Sequence, residues 1–212
     1  MSEHPAPVSA KPGQAPAVGA VLLAGGLARR MNGEDKGLVL LAGQAMAAYA
    51  LDTLLPLVSQ CVINANRNTA AYEQLRPGRV PVIADSRAGH LGPLAGLSAA
   101  LAYLDTDYVV MCPCDSPFIQ AALLTDLISE GITHDADIAV AHDGERLQPV
   151  FCMVNRRVQA SLNAFLDEGE RKIDRWFQRH SVVEVDARKY TRSFRNINTE
   201  EERKSAEQEM LS

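Results

Sequence analysis

Glycines and cationic residues suited to phosphate binding lie close together near the start of the sequence. They follow one short apolar run and are Gly25, Gly26, Arg29, Arg30 and Lys36. Glycine has no Cβ, so its backbone N–H group can approach a phosphate oxygen closely. Arg29 or Arg30 can bind phosphate through the planar guanidinium, and Lys36 can reach the same group as a point charge. The segment therefore predicts a loop that holds a polyphosphate.

This loop matches neither of the two common nucleotide-binding motifs. It lacks the Gly-Lys-Ser or Gly-Lys-Thr of a Walker A loop, and the spacing from Gly25-Gly26 to Gly33 differs from that of G-x-G-x-x-G. The alternative is a tight strand-to-helix turn with solvated basic residues on its surface. A glycine pair alone favours that turn, but two arginines and a lysine in the same loop favour phosphate binding.

Carboxylate and amide side chains stand directly after three other apolar runs. Asp115 either holds a divalent cation together with substrate phosphates or forms a turn before a Ser-Pro pair. Asn64, Asn66 and Asp85 can pair with a base edge, and a carboxylate suits guanine, which presents two neighbouring donors. The residues alone leave the two interpretations of Asp115 equal and favour turns or helix caps for the other three.

Short strand-like runs alternate with helix-like stretches along most of the chain. The predicted strand and helix pairs are 18–23 and 45–57, 61–64 and 69–75, 80–83 and 93–104, and 107–111 and 119–129. Such alternation predicts βαβ units, a mostly parallel sheet and an α/β fold. Ligands of open parallel sheets bind at the carboxyl ends of the strands, so we expect the glycine-rich loop and the polar strand-end residues to meet there.

The pattern is less regular after residue 130. We predict strands at 137–141, 147–154 and 182–185, the last at a sheet edge, and helices at 156–165 and 199–211. Asn198 or Thr199 is placed to cap the last helix. Residues 1–17 are rich in proline and alanine and lack periodicity, which predicts a flexible tail, so the domain is expected to span residues 18–212.

The composition argues against several classes of protein. A net charge of −5 gives no broad positive field for nucleic acid or an anionic membrane, and no apolar run reaches the roughly 18 residues of a membrane span. The first seventeen residues contain no hydrophobic signal segment, so we expect an unexported cytoplasmic protein. The four cysteines match neither a zinc site nor a disulfide framework, which predicts buried thiols, and the five histidines show neither zinc spacing nor a nucleophile motif.

Four separated blocks carry a resemblance to a known family. They are Leu23-Ala24-Gly25-Gly26 with Arg30-Met31 and Asp35-Lys36-Gly37-Leu38, then Gly92-Pro93-Leu94-Ala95-Gly96, then Cys112-Pro113-Cys114-Asp115, and finally Asn196-Ile197-Asn198-Thr199. In this order they resemble the nucleotidyltransferases related to molybdenum cofactor guanylyltransferase (MobA). The resemblance extends from about Val18 to Glu202 and implies a single three-layer, Rossmann-like nucleotidyltransferase domain.

The resemblance also implies an activity. It is the transfer of GMP from GTP to the terminal phosphate of molybdopterin, with or without molybdenum, to give the guanine dinucleotide cofactor and pyrophosphate. The implied metal is Mg²⁺, with Mn²⁺ as the alternative. The implied protein partners are one that delivers molybdopterin, and the molybdoenzyme apoproteins or their chaperones.

The resemblance further assigns roles to individual residues. GTP binding is implied for Leu23, Ala24, Gly25, Gly26, Lys36, Asn64, Asp85 and Asp115. Catalysis is implied for Arg30, Lys36 and Asp115, with Asp115 as the metal ligand. The molybdopterin side is implied for Gly92, Asn196 and Asn198.

Three other functions are compatible with the phosphate loop. One is the transfer of CMP to the same cofactor, one is the transfer of a nucleotide to a sugar phosphate, and one is nucleotide binding by a non-catalytic regulator. Asp35-Lys36-Gly37 and the Cys-Pro-Cys-Asp block favour the guanylyl enzyme. The presence of both Lys36 and Asp115 argues against a regulator that has lost catalysis.

Overall fold

A computed structural model describes residues 15–24, 27–28, 34–87 and 92–211. The strands are β1 (Val18–Leu23), β2 (Leu27–Ala28), β3 (Glu34–Asp35), β4 (Leu40–Leu41), β5 (Gln44–Ala45), β6 (Gln60–Asn64), β7 (Val82–Ile83), β8 (Tyr108–Pro113), β9 (Ile138–His142), β10 (Leu147–Asn155) and β11 (Val182–Asp186). The α-helices are α1 (Met46–Leu54), α2 (Thr69–Glu73), α3 (Pro93–Tyr103), α4 (Ala121–Thr133), α5 (Gln159–Asp167), α6 (Ile173–Phe177) and α7 (Glu200–Leu211). Short 3-10 helices occur at Lys36–Leu38, Arg156–Val158 and Arg188–Phe194.

Seven strands form one sheet in the order β11-β9-β10-β8-β1-β6-β7. Strand β10 pairs antiparallel with both β8 and β9, and the other pairings are parallel. The predicted α/β fold with a mostly parallel sheet is therefore confirmed. Strand β10 runs opposite to its neighbours β8 and β9, so β8 and β9 run in the same direction. The carboxyl ends of β1, β6, β7, β8, β9 and β11 therefore all lie at one edge of the sheet, which we call the carboxyl edge.

Helices cover both faces of the sheet, which gives the three layers expected. On β1 and β8, alternate residues enter two separate cores, as strands buried on both faces require. One core contains the apolar sides of α1 and α4, and the other contains those of α3, α5 and α6. We call the second side of the sheet the α3 face. In the described part of the chain, no helix combines the length and the apolar character that crossing a membrane requires.

Most predicted elements are present, with small shifts at their ends. The helix expected at 45–57 occupies Met46–Leu54, and the strand expected at 80–83 is shortened to Val82–Ile83. The strand expected at 182–185 is β11, which is an outermost strand of the sheet, as predicted. The predictions did not include α6 or the small β4–β5 hairpin. Ala17, which was assigned to the predicted tail, donates its N–H to Asp107 Oδ2 at 2.7 Å.

A capping box begins the last helix. The N–H of Glu202 donates to Thr199 Oγ1 at 3.2 Å, and Glu202 Oε2 accepts from the N–H of Thr199 at 3.0 Å. Thr199 is therefore the cap, which settles the choice between Asn198 and Thr199. The side chain of Asn198 is left available for a different contact.

Serine, histidine and aspartate side chains approach one another at the opposite edge of the sheet. Ser161 Oγ lies 2.9 Å from His180 Nε2, whereas His180 Nδ1 lies 3.7 Å from Asp137 Oδ2. Asp137 Oδ2 already accepts from the N–H of Ser181 at 3.0 Å. Burial lowers the pKa of His180 below its ordinary value, so the imidazole favours its neutral form. These contacts join α5 to the start of β9.

Candidate active site

Lys36, Asp115 and Asn198 meet at the carboxyl edge of the sheet. Lys36 Nζ donates to Asp115 Oδ2 at 3.0 Å and to Asn198 Oδ1 at 2.5 Å. Lys36 begins the first 3-10 helix, Asp115 follows β8, and Asn198 precedes α7. An ammonium group has three donors, so one remains for a substrate oxygen. The structure thus brings together three residues that the sequence predicted for the site.

The segment before α7 lies along the loop that carries Asp115. Ser116 Oγ donates to Asn196 Oδ1 at 2.7 Å, and the N–H of Ile197 donates to the carbonyl of Asp115 at 3.3 Å. Asn196 and Asn198, both predicted for the molybdopterin side, therefore adjoin the predicted metal ligand. Sequence reasoning did not identify Ser116 as the residue that fixes Asn196.

Asp115 has the coordination capacity that a hard divalent cation needs. Its Oδ2 accepts from Lys36, and within the described residues no hydrogen bond reaches Oδ1. The side chain is 13% exposed. In the same residues, no group of three or more histidine, cysteine, aspartate or glutamate side chains could hold a metal. One carboxylate suits Mg²⁺, which takes most of its ligands from water and substrate phosphates.

The backbone at the end of β1 is fixed by its neighbours. The N–H of Ala24 donates to the carbonyl of Asn64 at 2.8 Å, and Leu23 accepts from the N–H of Cys114 at 3.0 Å. The resemblance implied that Ala24 binds GTP, but this bond uses its N–H, so that group is not free to donate to a phosphate oxygen. The other expected donors, Gly25, Gly26 and Arg30, lie outside the described residues.

Asp35 anchors the other end of the same loop. This carboxylate is buried and accepts from Tyr72 Oη at 2.5 Å, Arg67 Nε at 3.1 Å and Asn68 Nδ2 at 3.4 Å. A Cβ on Gly37 would lie only 2.5 Å from Tyr72 Oη, so the next turn requires glycine. Asp35 therefore fixes the backbone that directly precedes Lys36. It entered the sequence analysis only as part of a motif.

Asn64 and Asp85 form a second polar group at the ends of β6 and β7. Asn64 Nδ2 donates to Asp85 Oδ1 at 2.9 Å, and Asn66 Nδ2 donates to Asp85 Oδ2 at 2.8 Å. The N–H of Asp85 returns a bond to Asn66 Oδ1 at 2.8 Å. Each carboxylate oxygen keeps a free lone pair, so Asp85 can still accept from two adjacent donors on a base.

The Gly-Pro-Leu-Ala-Gly block places α3 against this group. Gly92 has φ +71°, which favours glycine, and Pro93 occupies the first helical position. Gly96 faces Asn64, and a Cβ there would overlap Asn64 Oδ1 and lie 2.6 Å from Leu23 Cδ2. The second glycine of the block is therefore needed so that the helix can approach β1 and β6.

Replacement of Gly96 by alanine is expected to lower the free energy of unfolding. Overpacking costs about 1–3 kcal/mol, which exceeds the gain of about 1 kcal/mol in helix propensity. Urea denaturation measures the change. Gly131→Ala in α4 is the matched control, because its Cβ meets mainly the flexible end of Met153 and the cost should be smaller. A Gly96→Ala protein as stable as the unchanged chain would contradict this packing argument.

Arg87 joins the end of the β7 segment to α5. Its Nε and Nη2 donate to Asp167 Oδ1 at 3.1 and 2.9 Å, and Nη1 donates to Asn163 Oδ1 at 3.3 Å and Ser98 Oγ at 3.2 Å. These contacts hold the chain just before residues 88–91, which lie outside the description. Arg87 was also missed by sequence reasoning, since an isolated arginine carries no local signal.

The cysteines beside the site are buried thiols, as predicted. All four are free and buried. Burial raises the pKa of Cys61 to about 12, and it raises the pKa of Cys112 and Cys114 well above the ordinary value. Thiols held in the protonated form are poor nucleophiles and poor metal ligands. The Cys-Pro-Cys segment therefore supports Asp115 through packing.

Comparisons with known proteins show which proteins this chain resembles. A protein named molybdenum cofactor guanylyltransferase from Shewanella frigidimarina is 46% identical over 189 residues, covering 89% of this chain and 95% of that protein. One of the same name from Shewanella piezotolerans is 43% identical over 186 residues, covering 88% and 90%. The crystal structure of molybdopterin-guanine dinucleotide biosynthesis protein A from Archaeoglobus fulgidus is 27% identical with a TM-score of 0.76, covering 91% of this chain and 98% of that one.

A family profile matches most of the domain. It is described as the MobA-like NTP transferase domain and matches residues 20–185, which contain Lys36, Asn64, Asp85 and Asp115. The match spans the sheet from β1 to β11 and ends before Asn196 and Asn198. The curated relatives, which cover almost nine tenths of the chain, bear the name of the same enzyme type. The chain therefore belongs to the family of MobA-like nucleotidyltransferases.

Proposed function

We propose that this protein transfers GMP from GTP to the terminal phosphate of molybdopterin. The observation that carries the proposal is the contact of Lys36 with both Asp115 and Asn198 at the carboxyl edge of the sheet. It places a cation, a candidate metal ligand and a neutral amide where the ends of parallel strands create a ligand site. The names of the relatives supply the substrates of the proposal.

The reaction needs charge neutralisation more than proton transfer. A phosphate oxygen of the acceptor attacks the α-phosphorus of GTP, a new P–O bond forms, and the bond to the bridging oxygen of pyrophosphate breaks. Pyrophosphate leaves with the electron pair of that bond. The nucleophile is already an anion, so catalysis depends on the alignment of the reactants and on positive charge near the phosphates.

Residues of the chain divide this work. Lys36 contributes an ammonium whose third donor can bind a phosphate oxygen as negative charge moves to the leaving group. Arg30 and the backbone of Gly25 and Gly26 hold the phosphates in the same proposal. Asn64 positions Asp85, whose carboxylate accepts from the N1–H and the amino group of guanine.

Asp115 would hold Mg²⁺ through its free carboxylate oxygen. When bound with the triphosphate, Mg²⁺ supplies positive charge to the phosphate oxygens. Lys36 keeps Asp115 oriented through Oδ2. Mn²⁺ prefers the same oxygen ligands and is the alternative metal. Gly92, Asn196 and Asn198 face the acceptor in this proposal.

Asp85 favours guanine over the rival bases. Cytosine presents one donor, its amino group, beside two acceptors, so it would meet a carboxylate with only one hydrogen bond. A cytidylyltransferase would therefore have less use for the Asn64–Asp85–Asn66 group. The protein partners we propose are a donor of molybdopterin and the apoenzymes or chaperones that receive the product. Four free thiols suit a reducing cytoplasm.

Calorimetry with GTP, CTP, ATP and UTP in the presence of Mg²⁺ tests the proposal first. We expect GTP to bind most tightly, and we expect pyrophosphate release and a product of the mass of molybdopterin guanine dinucleotide once molybdopterin is added. EDTA should abolish turnover. A preference for CTP would assign the protein to cytidylyl transfer. GTP binding without turnover would favour the non-catalytic regulator.

A further inference from the structure

A pocket of about 290 Å³ lies at the carboxyl ends of β9 and β11, outside the groups described above. It is lined by His142, Gly144, Glu184, Asp186 and Arg188. None of these residues has a role in the proposed function. Arg188 packs over Gly144, whose φ is +102° and whose Cβ, if present, would lie 2.8 Å from Arg188 Cγ.

The pocket shares one edge and one face of the sheet with the nucleotide site. On β9, Ile138 and Val140 enter the core of the α3 face, so His142 continues along that face. Val182 on β11 packs against the same core, which puts Glu184 and Asp186 on this face as well. Leu23 on β1 and Val62 on β6 pack in the same core. Asn64 follows Val62 by two residues, so it lies on the α3 face as well.

Strand β10 lies between the two sites in the sheet. It pairs with β8 only over its second half, from Cys152 to Asn155, and its register against β9 shifts between Gln148 and Cys152. Strand β9 lies two strand positions from β8, a distance of about 10 Å. An extended ligand can therefore contact Asp115 at one end and the pocket at the other.

The hydrogen-bonding groups of the pocket are partly committed. Arg188 binds Asp186 as a fork, with Nε to Oδ1 at 2.9 Å and Nη2 to Oδ2 at 2.6 Å. His142 Nδ1 accepts from the N–H of Gly144 at 3.0 Å, which assigns the ring proton to Nε2. In the part of the chain that is described, the side chain of Glu184 makes no hydrogen bond or ion pair. The Nε2–H of His142 and the carboxylate of Glu184 are thus left for a ligand, beside the Nη1 donors that Arg188 keeps outside its ion pair.

The carboxylate of Glu184 and the Nε2–H of His142 match the hydrogen-bonding edge of a 2-amino-4-oxopyrimidine ring. The ring N–H and the amino group of such a ring are adjacent donors that a carboxylate accepts together, and the neighbouring carbonyl accepts one N–H. Guanine and pterin both contain this ring. Guanine belongs at Asp85 in the proposed function, on the other side of β1 from the pocket.

We infer that the pocket binds the pterin ring of the acceptor, with Glu184 and His142 as its specificity-determining residues. The inference rests on the proposed function, because that function supplies an acceptor with a pterin at one end and a phosphate at the other. Glu184 accepts from the ring N–H and the amino group, and His142 Nε2 donates to the carbonyl. The phosphate end then lies toward Asp115 and Lys36.

Binding of neopterin, a fluorescent pterin, tests this inference on the full-length chain. We expect saturable binding that Glu184→Gln weakens about tenfold, because a bidentate pair is lost. His142→Ala should weaken binding severalfold through the loss of one donor. Glu73→Gln is the matched control, since Glu73 is also exposed and lies on α2, and it should bind neopterin like the unchanged chain.

Two further measurements show whether the pocket binds the pterin ring or the guanine ring of GTP. They also distinguish failure of this inference from failure of the proposed function. GTP should not displace neopterin, and Glu184→Gln should raise the KM for molybdopterin while the affinity for GTP stays within twofold. Competition by GTP, equal neopterin binding by Glu184→Gln, or no saturable binding to the unchanged chain would each overturn the inference. Failure of the proposed function appears separately, as loss of GTP binding or of pyrophosphate release.

Discussion

Lys36→Ala is expected to lower kcat for guanylyl transfer by about 100- to 1000-fold, the loss typical when one preorganised donor to a developing anion is removed. Lys36 contacts Asp115 and Asn198, so the substitution removes a cation and the link between two other site residues. The KM for GTP should rise less than kcat falls, because the charge on the leaving pyrophosphate is greatest in the transition state. Steady-state kinetics of pyrophosphate release give both constants.

Two variants show whether position or charge explains the Lys36 result. Lys36→Arg keeps the charge, but a planar fork cannot replace a compact ammonium held between two acceptors, so it should restore little activity. Lys204→Met removes an exposed lysine on α7 and should leave kcat unchanged. A Lys36→Ala enzyme with more than a third of the original kcat would exclude Lys36 from the chemistry.

Asp35→Ala should destabilise the protein by about 3 kcal/mol, the lower end of the cost of removing one partner of a buried pair. The side chain of Asp35 is 1% exposed, whereas that of Arg67 is 32% exposed, which limits the penalty for the arginine that is left. Tyr72 and Asn68 also lose their acceptor. Urea denaturation followed by circular dichroism gives the free energy of unfolding.

A second aspartate–arginine pair provides the control for Asp35. Asp52 is 55% exposed and pairs with Arg76, and an exposed pair contributes about 0–1 kcal/mol. Asp52→Ala should therefore change the free energy of unfolding by less than 1 kcal/mol. Equal effects of the two substitutions would show that the Asp35 network carries no special stability. Because Asp35 directly precedes Lys36, we also expect its loss to reduce kcat.

Local periodicity in the sequence predicted most of the strands and helices of this fold. Apolar runs of strand length between helix-length stretches located β1, β6, β8 and α3 to within a few residues. Helix α6 was missed because it has only five residues, and two of them are the charged Asp174 and Arg175. The register shift in β10 depends on its pairing with β9, which no local pattern records.

The candidate site was predictable where residues stand at strand ends, and less so elsewhere. Asn64 and Asp85 could be placed together because parallel strands end at one edge. The burial of Asp35 could not be foreseen, since it depends on Arg67 and Tyr72, which lie more than thirty positions later. The choice of Thr199 as the cap was available from the sequence, because Glu202 completes a capping box.

The capping box lies near the end of the chain, so the part of the site that it positions is synthesised last. Lys36 and Asn198 are 162 positions apart, and the start of α7 fixes where Asn198 lies. A nascent chain that has reached β11 contains every strand of the sheet but not the amide that holds the lysine. The large scaffold can therefore fold well before the lysine acquires its second partner, and a chain truncated before Asn198 should keep the sheet while its lysine is held by Asp115 alone.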